Sequence, residues 1–393
     1  MTQRLNICHV ITRMIVGGAQ ENTLLTVRGL LERGHDVTLL TGPTTGPEGK
    51  LLDQAGAPGM RLALEPALIR NLNPLADLIA YRRLKRFLRA GRFDVVHTHS
   101  SKAGVIGRLA ARAAGCPLVV HTVHGQAFHP YEKGWRNRLY IAAERRAARC
   151  SDHILAVAQA MVDQCVAAGV APREKYTVVY SGMDIEPFLA ARPDPALRAR
   201  LGLPEGAPVV GKIARLFELK GHDFLIAAAR PVVQEFPDVR FLLVGDGILR
   251  PTLEAAIRAG GLERHFVFAG LVPPSEIPRY VALMDVLAHL SLREGLPRTV
   301  VQAMAGGKPA VGFALDGTPE VIADGQTGRL CPAGDVAAVS AALLELLRSP
   351  QTAAEMGCRG RAWVRERFDW RRMVGQIEAV YLRQLAAKAT GRP

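Results

Sequence analysis

Two segments hold the residues best suited to chemistry. Residues 211–221 read GKIARLFELKG, and residues 292–309 read LREGLPRTVVQAMAGGKP. The first carries Arg215 and Lys220, five apart, on the loop after the apolar run Val209–Ala214. The second carries Glu294 just after the strand-like DVLAHLSL, then a helical pattern bearing Gln302. Two fixed cations and one carboxylate at the C-terminal ends of strands suit a sugar attached to a diphosphate. The cations match negative charge developing on a departing phosphate, and the carboxylate can bind sugar hydroxyls. Gly221 opens the next helix and adds backbone donors. A simple ion-pairing role is the plain alternative for Arg215 and Lys220.

Other candidates surround this pair. GGAQ, residues 17–20, follows the first strand pattern and opens a helix. Gly17 and Gly18 would let a ligand approach the backbone, and helix N-termini attract phosphate; a tight strand-to-helix turn needs the same residues. HTHSSKAG, 97–104, ends another strand, so His97, His99 and Lys102 either line a crevice or support it. Two histidines at i, i+2 with no carboxylate make a poor metal set. HTVHG, 121–125, sets His121 in a strand and His124 at its exit, where a neutral ring can hydrogen-bond a sugar hydroxyl or orient an acceptor. LLVGDG, 242–247, ends a strand on Gly245 and Asp246, where Asp246 serves equally well as a turn residue. DGTPE, 316–320, places Gly317 and Thr318 before a helix, both candidates to line a donor pocket. GPTTGPEGK, 42–50, is not a P-loop: Thr44 stands where the first glycine must be, and Leu51 replaces the Ser or Thr. The chain has no GxGxxG fingerprint for a nicotinamide cofactor and no DxD triplet for a metal-bridged diphosphate. No cofactor and no metal are therefore expected, with Arg215 and Lys220 supplying the charge a metal would.

In these residues the chain resembles the retaining glycosyltransferases of family 4, two-domain enzymes of the GT-B fold. The family pattern is a Gly-Arg-Leu-like segment followed by Lys-Gly, then two acidic residues separated by seven positions. GGAQ and HTVHG also match, so the resemblance covers almost the whole chain. The second acidic position is Gln302 here, a departure that exchanges a charge-assisted hydrogen bond for a neutral one. The resemblance implies that Arg215 and Lys220 grip the diphosphate of a nucleotide sugar, that Glu294 touches the donor sugar and residue 302 the ribose, and that His124 is the histidine beside the donor sugar. On one helix, the interval from Glu294 to Gln302 would span about 12 Å, the reach from sugar to ribose, with Pro297 at the first helical position. It implies transfer with retention, the leaving phosphate helping to deprotonate the acceptor hydroxyl. The donor is expected to be a UDP-sugar, with GDP-sugars the other option, and the acceptor a lipid-linked or polysaccharide glycan. A GT-B UDP-sugar epimerase or hydrolase, and a non-catalytic sugar-nucleotide-binding protein, are the rival readings.

Composition sets the frame. At 393 residues, 49% of them hydrophobic, the chain has the length and apolar content of a multi-domain α/β protein. Six cysteines without CxxC spacing argue against a disulfide framework or structural zinc and for a reducing cytosol. The N-terminal apolar run is short and broken by His9 and Arg13, unlike a signal peptide, and no run of 18 apolar residues occurs. A cytoplasmic protein is expected, at most peripheral on the inner face of a membrane. The formal net charge is +14, and the first half is the more basic. YRRLKRFLRAGR, 81–92, gathers Arg82, Lys85, Arg86 and Arg89 on one helical side, either a solvated face or a contact to an anionic membrane. A second basic stretch, Trp135–Arg149, follows the His124 loop. Aromatics are few and not interleaved with these runs, so nucleic acid is not an expected partner.

The elements that must hold these residues alternate strand with helix. Strand patterns fall at Asn6–Ile11, Asp36–Leu40, Val95–His97, Leu118–Thr122, Ile154–Val157 and Thr177–Val179, then at Val209–Ala214, Arg240–Val244, Phe266–Ala269, Val286–Leu290, Ala310–Val311 and Gly328–Leu330. This rhythm predicts two α/β domains, each a Rossmann-like, doubly wound parallel sheet, facing each other across a ligand cleft. Residues 1–190 form the first, 191–207 a proline-rich connector, and 208–369 the second, the nucleotide-sugar side. The resemblance further implies that the last helix, 370–390, returns to the first domain.

Overall fold

Short runs rich in Val, Ile and Leu, buried on both faces, become parallel strands separated by crossover helices. The computed structural model describes residues 3–44, 51 and 59–390; residues 45–50 of the GPTTGPEGK stretch lie outside them. The chain divides into two units. One comprises the chain up to Met183 with the segment from Trp370 onward, and the other is Asp184–Asp369.

The first unit contains β1 (Asn6–Ile11), β2 (Asp36–Thr41), β3 (Arg61–Leu64), β4 (Val95–His99), β5 (Leu118–Val123), β6 (His153–Ala156) and β7 (Tyr176–Val178). They form one sheet in the order β3-β2-β1-β4-β5-β6-β7, parallel throughout. The order reverses between β1 and β4, which makes that the topological switch point, where ligands collect at strand C-termini. β3 carries no expected strand pattern. RLAL is short, largely exposed and at the sheet edge, so no run of buried apolar residues announces it.

Alternation along β1 sends Ile7 and Ile11 to one face and Cys8 and Val10 to the other. The first face packs against Trp370, Met373, Val374, Ile377 and Tyr381 of the C-terminal helix Trp370–Ala389. The second packs against Leu84 and Leu88 of the helix Pro74–Gly91. Trp370 is 1% exposed, and its backbone N–H donates to the Met183 carbonyl at 3.3 Å.

The second unit contains β8 (Val209–Ile213), β9 (Arg240–Val244), β10 (Phe266–Gly270), β11 (Val286–His289), β12 (Ala310–Phe313) and β13 (Gly328–Cys331). Their order is β10-β9-β8-β11-β12-β13, again parallel, with the switch point between β8 and β11. The stretch 191–207, expected as a connector, folds as part of this unit. Asp194 caps the helix Pro195–Arg200 by accepting from Leu197 N at 3.1 Å, and its carboxylate also pairs with Arg279 at 2.5 Å. Leu197 and Leu203 are buried. Pro195 starts the helix instead of breaking the chain, because a first-turn residue needs no N–H partner.

Trp370 fixes the returning helix, so Trp370→Ala is expected to cost about 3–5 kcal/mol, read as a lower urea midpoint for the transition that includes the first unit.

Candidate functional site

In the second unit, the switch point gathers the loops after β8, β11 and β12. The Lys220 ammonium donates to Glu294 Oε1 at 2.6 Å, with both side chains about one-fifth exposed. Leu292 N donates to the Leu219 carbonyl at 2.9 Å, joining the same two loops through the backbone. Glu294 N donates to Asp316 Oδ2 at 2.8 Å, which brings in the third loop. Three residues here adopt left-handed backbone: Leu219 at φ 63°, Gly221 at φ 66° and Asp316 at φ 50°. At Gly221 any side chain would also collide, since a Cβ would lie 1.8 Å from the Leu290 carbonyl oxygen.

Burial sets the charges around this pair. It pushes the Glu294 carboxyl up, but Lys220, as a charge and as a hydrogen-bond donor, leads the effects that outweigh it and hold the group below its ordinary value of 4.5. His289 Nε2 lies 3.8 Å from Glu294 Oε1 and makes no hydrogen bond. Burial, with Lys212 and Lys220 nearby, lowers that imidazole to about 4, so it is neutral. Lys212, on β8, is 2% exposed; burial first and Lys220 second lower its amine to about 7. His222, at the start of the next helix, is lowered to about 3 by burial and by the same two lysines. Lys220 and Glu294 are thus an ion pair beside two neutral imidazoles and an amine whose charge burial weakens.

Arg215 lies on the rim, exposed, its guanidinium 5.0 Å from the Phe217 ring centroid. Its loop is pinned to the turn after β9: Ala214 N donates to the Val244 carbonyl and Leu216 N to the Asp246 carbonyl, each at 3.0 Å. Gly245, at φ 133°, permits this closeness, because a Cβ would sit 2.1 Å from the Ala214 carbonyl oxygen. Its glycine has a packing reason. Asp246 pairs with Arg250 at 3.1 Å.

Glu294 does not share a helix with Gln302. The helix Arg298–Ala305 begins four residues later with Pro297 at its N-cap, so the 12 Å helical interval does not apply. Proline with its fixed φ suits either the cap or the first turn. Gln302 is half-buried on that helix. Gly317 caps the four-residue helix Thr318–Val321, and Thr318 is 2% exposed, packed beneath Gly312. Asp316, which the sequence passed over in DGTPE, is the residue of that loop that meets Glu294.

In the first unit, Gly17 has extended backbone (φ 177°) and caps the helix Gly18–Glu32. Gly17 therefore needs no glycine-only conformation, and a Cβ there would meet only the far end of Gln20. β4 pairs with β1 so that His9 opposes His97, and His97 and His99 share a face. His9 Nδ1 lies 2.9 Å from His99 Nε2, and His99 Nδ1 lies 3.0 Å from His124 Nε2. His97 bonds Tyr381 Oη at 2.5 Å and Thr122 Oγ1 at 2.7 Å. His9, His97 and His99 are fully buried, and burial lowers each. Among the described residues they are the one group spaced for a metal, with ligand atoms within 4.8 Å of one another. Both nitrogens of His97 and of His99 are already engaged, so the ring arrangement is that of a hydrogen-bonded column. On the opposite face, His121 bonds Thr98 Oγ1 at 2.9 Å. His124 and His121 line a cavity with Arg108, Glu144 and Tyr176, in which buried Arg108 pairs with Glu144 at 2.6 Å. His9 escaped the sequence reading because one histidine in an apolar strand carries no signal until the register is known.

Comparison with known proteins follows the two units. Residues 17–182 match the family model described as "Glycosyl transferase 4-like domain", and residues 193–363 match "Glycosyl transferases group 1". The chain is 30% identical over 368 residues to the GDP-mannose-dependent alpha-(1-6)-phosphatidylinositol monomannoside mannosyltransferase of Mycolicibacterium smegmatis, covering 90% of this chain and 92% of that one. It is 29% identical over 337 residues to the UDP-Gal:alpha-D-GlcNAc-diphosphoundecaprenol alpha-1,3-galactosyltransferase of Escherichia coli, 85% of each chain. Among solved structures it is similar to HepE of Anabaena in complex with UDP, with 25% identity, TM-score 0.79, and coverage of 96% of this chain and 99% of that one.

Removing the cation isolates the effect of burial on Glu294. In Lys220→Met the Glu294 carboxyl is expected to titrate above 4.5 instead of below it, followed by its carboxyl ¹³C signal. The sign for stability reverses with it. The wild-type contribution is complete above the unfolded value and lost as pH falls through the lower folded value, whereas in the variant acidification from the raised folded value down to the unfolded one favours the fold.

Proposed function

The chain belongs to the group 1 glycosyltransferases of family 4, hexosyl-transferring enzymes of the GT-B fold, and on that premise we propose that it moves a sugar from a UDP-sugar to a lipid-linked or polysaccharide acceptor, with retention and without a metal. The observation that carries this reading is the Lys220–Glu294 pair at the switch point of the second sheet. A diphosphate entering there competes with Glu294 for the ammonium. Lys220 turns to the phosphate, and the released carboxylate accepts hydrogen bonds from sugar hydroxyls. Arg215, exposed on the adjoining loop, adds the second cation to the leaving group. Gly221 contributes the N-terminus of the fourteen-residue helix His222–Glu235. Gln302 offers the ribose a neutral amide. His124 contacts the donor sugar, and the departing phosphate takes the acceptor's proton. UDP is favoured because HepE was solved with UDP and the E. coli relative is named for UDP-Gal; GDP is the competing base, from the Mycolicibacterium relative's name.

Both of those relatives are named for acceptors built on lipids, which supports a lipid-linked acceptor and peripheral attachment to the membrane. No helix among the described residues is long and apolar enough to cross a membrane. The helix Pro74–Gly91 offers a surface instead. Leu75 and Leu78 are exposed near its start and Leu72 just before it, and Arg82, Lys85, Arg86 and Arg89 follow along the same helix. Apolar insertion backed by basic residues is the chemistry of an anionic interface.

Thermal-shift titration with UDP, GDP, ADP and dTDP in EDTA is the direct test. Selective stabilisation by UDP is expected, and stabilisation only with added magnesium would overturn the metal-free reading. Glu294→Gln should tighten UDP binding, because Lys220 loses its competitor, and lower turnover. Arg215→Ala should lower turnover about 10²- to 10³-fold; near-wild-type turnover would remove it from the diphosphate site. For the membrane, the protein should pellet with phosphatidylserine vesicles at low salt and be released by 0.5 M salt or by Leu75→Glu with Leu78→Glu. Failure to pellet would sink the peripheral reading.

A further inference from the structure

We infer that His9 and His99 are positioning residues that fix His124 as its Nδ1–H tautomer, so that the ring donates a hydrogen bond from Nδ1 and cannot accept a proton there. The inference deepens the proposed function and rests on its reading of His124 as a contact to the donor sugar.

Three imidazoles in series carry it. His9 Nδ1 meets His99 Nε2 at 2.9 Å, and His99 Nδ1 meets His124 Nε2 at 3.0 Å. The sheet dictates this order, because β1 and β4 are neighbours in parallel register and His124 lies just beyond the end of β5, on the other side of β4. A neutral imidazole has one N–H and one lone pair, so each contact needs one ring to donate and the next to accept. Burial keeps His9, at about 3, and His99, well below its ordinary value, neutral near pH 7.

Two arrangements satisfy both contacts. In one, His124 donates from Nε2 to His99, and His99 donates from Nε2 to His9, whose own N–H must then be Nε2. In the other, His9 donates from Nδ1, His99 donates from Nδ1 to His124 Nε2, and the His124 proton is left on Nδ1. The buried end of the column decides between them. His9 Nε2 is fully buried and has no hydrogen-bond partner. The first arrangement strands an N–H donor there, the rarest kind of orphan in a protein interior. The second leaves only an imine lone pair. His97 offers no escape, since its nitrogens are engaged by Tyr381 and Thr122.

The consequence is chemical. A second proton on His124 would have to sit on Nε2, facing the His99 Nδ1–H, and could be accommodated only by turning over both buried tautomers. His124 is therefore held as a neutral hydrogen-bond donor. It is not a general base at Nδ1, and the acceptor's proton must leave by another route, such as the departing phosphate.

The test is a long-range ¹H–¹⁵N correlation spectrum of the full chain labelled with ¹⁵N-histidine, which reads imidazole tautomers directly. His9, His99 and His124 are each expected to show the Nδ1–H pattern. His124 in the Nε2–H form, or averaging between forms, would overturn the inference. His9→Phe keeps the bulk and deletes the first donor, so His124 should lose its single pattern; retention of that pattern in the folded variant would overturn the relay. His9→Asn keeps an N–H donor near the position of Nδ1 and should preserve the pattern. If His9→Phe does not fold, the wild-type spectrum and His9→Asn decide the matter between them. Addition of UDP-glucose separates the two readings: a Nδ1–H His124 whose signals do not move would remove the sugar contact while leaving the tautomer lock intact.

Discussion

The ion pair between Lys220 and Glu294 is the constraint on which the second unit's site depends. It is partly buried, and burial makes an unpaired charge costly. Each partner therefore requires the other while no ligand is present. The loops after β8 and β11 are drawn together by the pair and by the Leu292–Leu219 backbone bond, and Asp316 fastens the loop after β12 to the same carboxylate-bearing residue. The left-handed backbone at Leu219 and Asp316 lies in these loops. Such conformations cost of order 1–3 kcal/mol each and persist where the surroundings over-determine them. Burial keeps two imidazoles near the pair, His289 and His222, neutral and lowers the Lys212 amine to about 7, which weakens the charge that would compete with it.

Much of this was legible from residue types. Arg215, Lys220 and Glu294 stand out because they are charged residues at the ends of apolar runs, where the C-termini of parallel strands gather. Strands such as Asn6–Ile11 and Arg240–Val244 are legible to the residue, because strands buried on both faces read as continuous apolar runs. β3 was not, because an exposed edge strand needs no such run. The helix Pro195–Arg200 was hidden by its prolines, which mark a helix start as readily as a linker. The spacing of Glu294 and Gln302 misled for a related reason. Eight positions fit a helix, but the first four belong to a loop, and Pro297 fits its end as well as the helix's beginning. Contacts across strands were the least legible. The partnership of Asp316 with Glu294, and of His9 with His99, depends on register, which no local pattern encodes.

The two sheets solve the same topological problem with opposite electrostatics. Both reverse strand order beside their first strand, and both gather polar residues at the C-terminal ends of the two central strands. The second sheet uses charge. On the proposed reading its pair rearranges when a ligand brings charge of its own, which suits a group whose phosphates change charge during reaction. The first sheet uses fully buried neutral rings, one of them edge-on to Tyr381, where a charge would be expelled by desolvation. Neutral polar groups in such a place can be specific only through the direction of their hydrogen bonds. A column of imidazoles supplies direction without charge, because fixing one tautomer at the buried end fixes every ring along it. That end is His9 Nε2, buried and without a hydrogen-bond partner, so the hydrogen-bonding character of His124 is decided two hydrogen bonds away along the column, and not by the solvent at the strand ends.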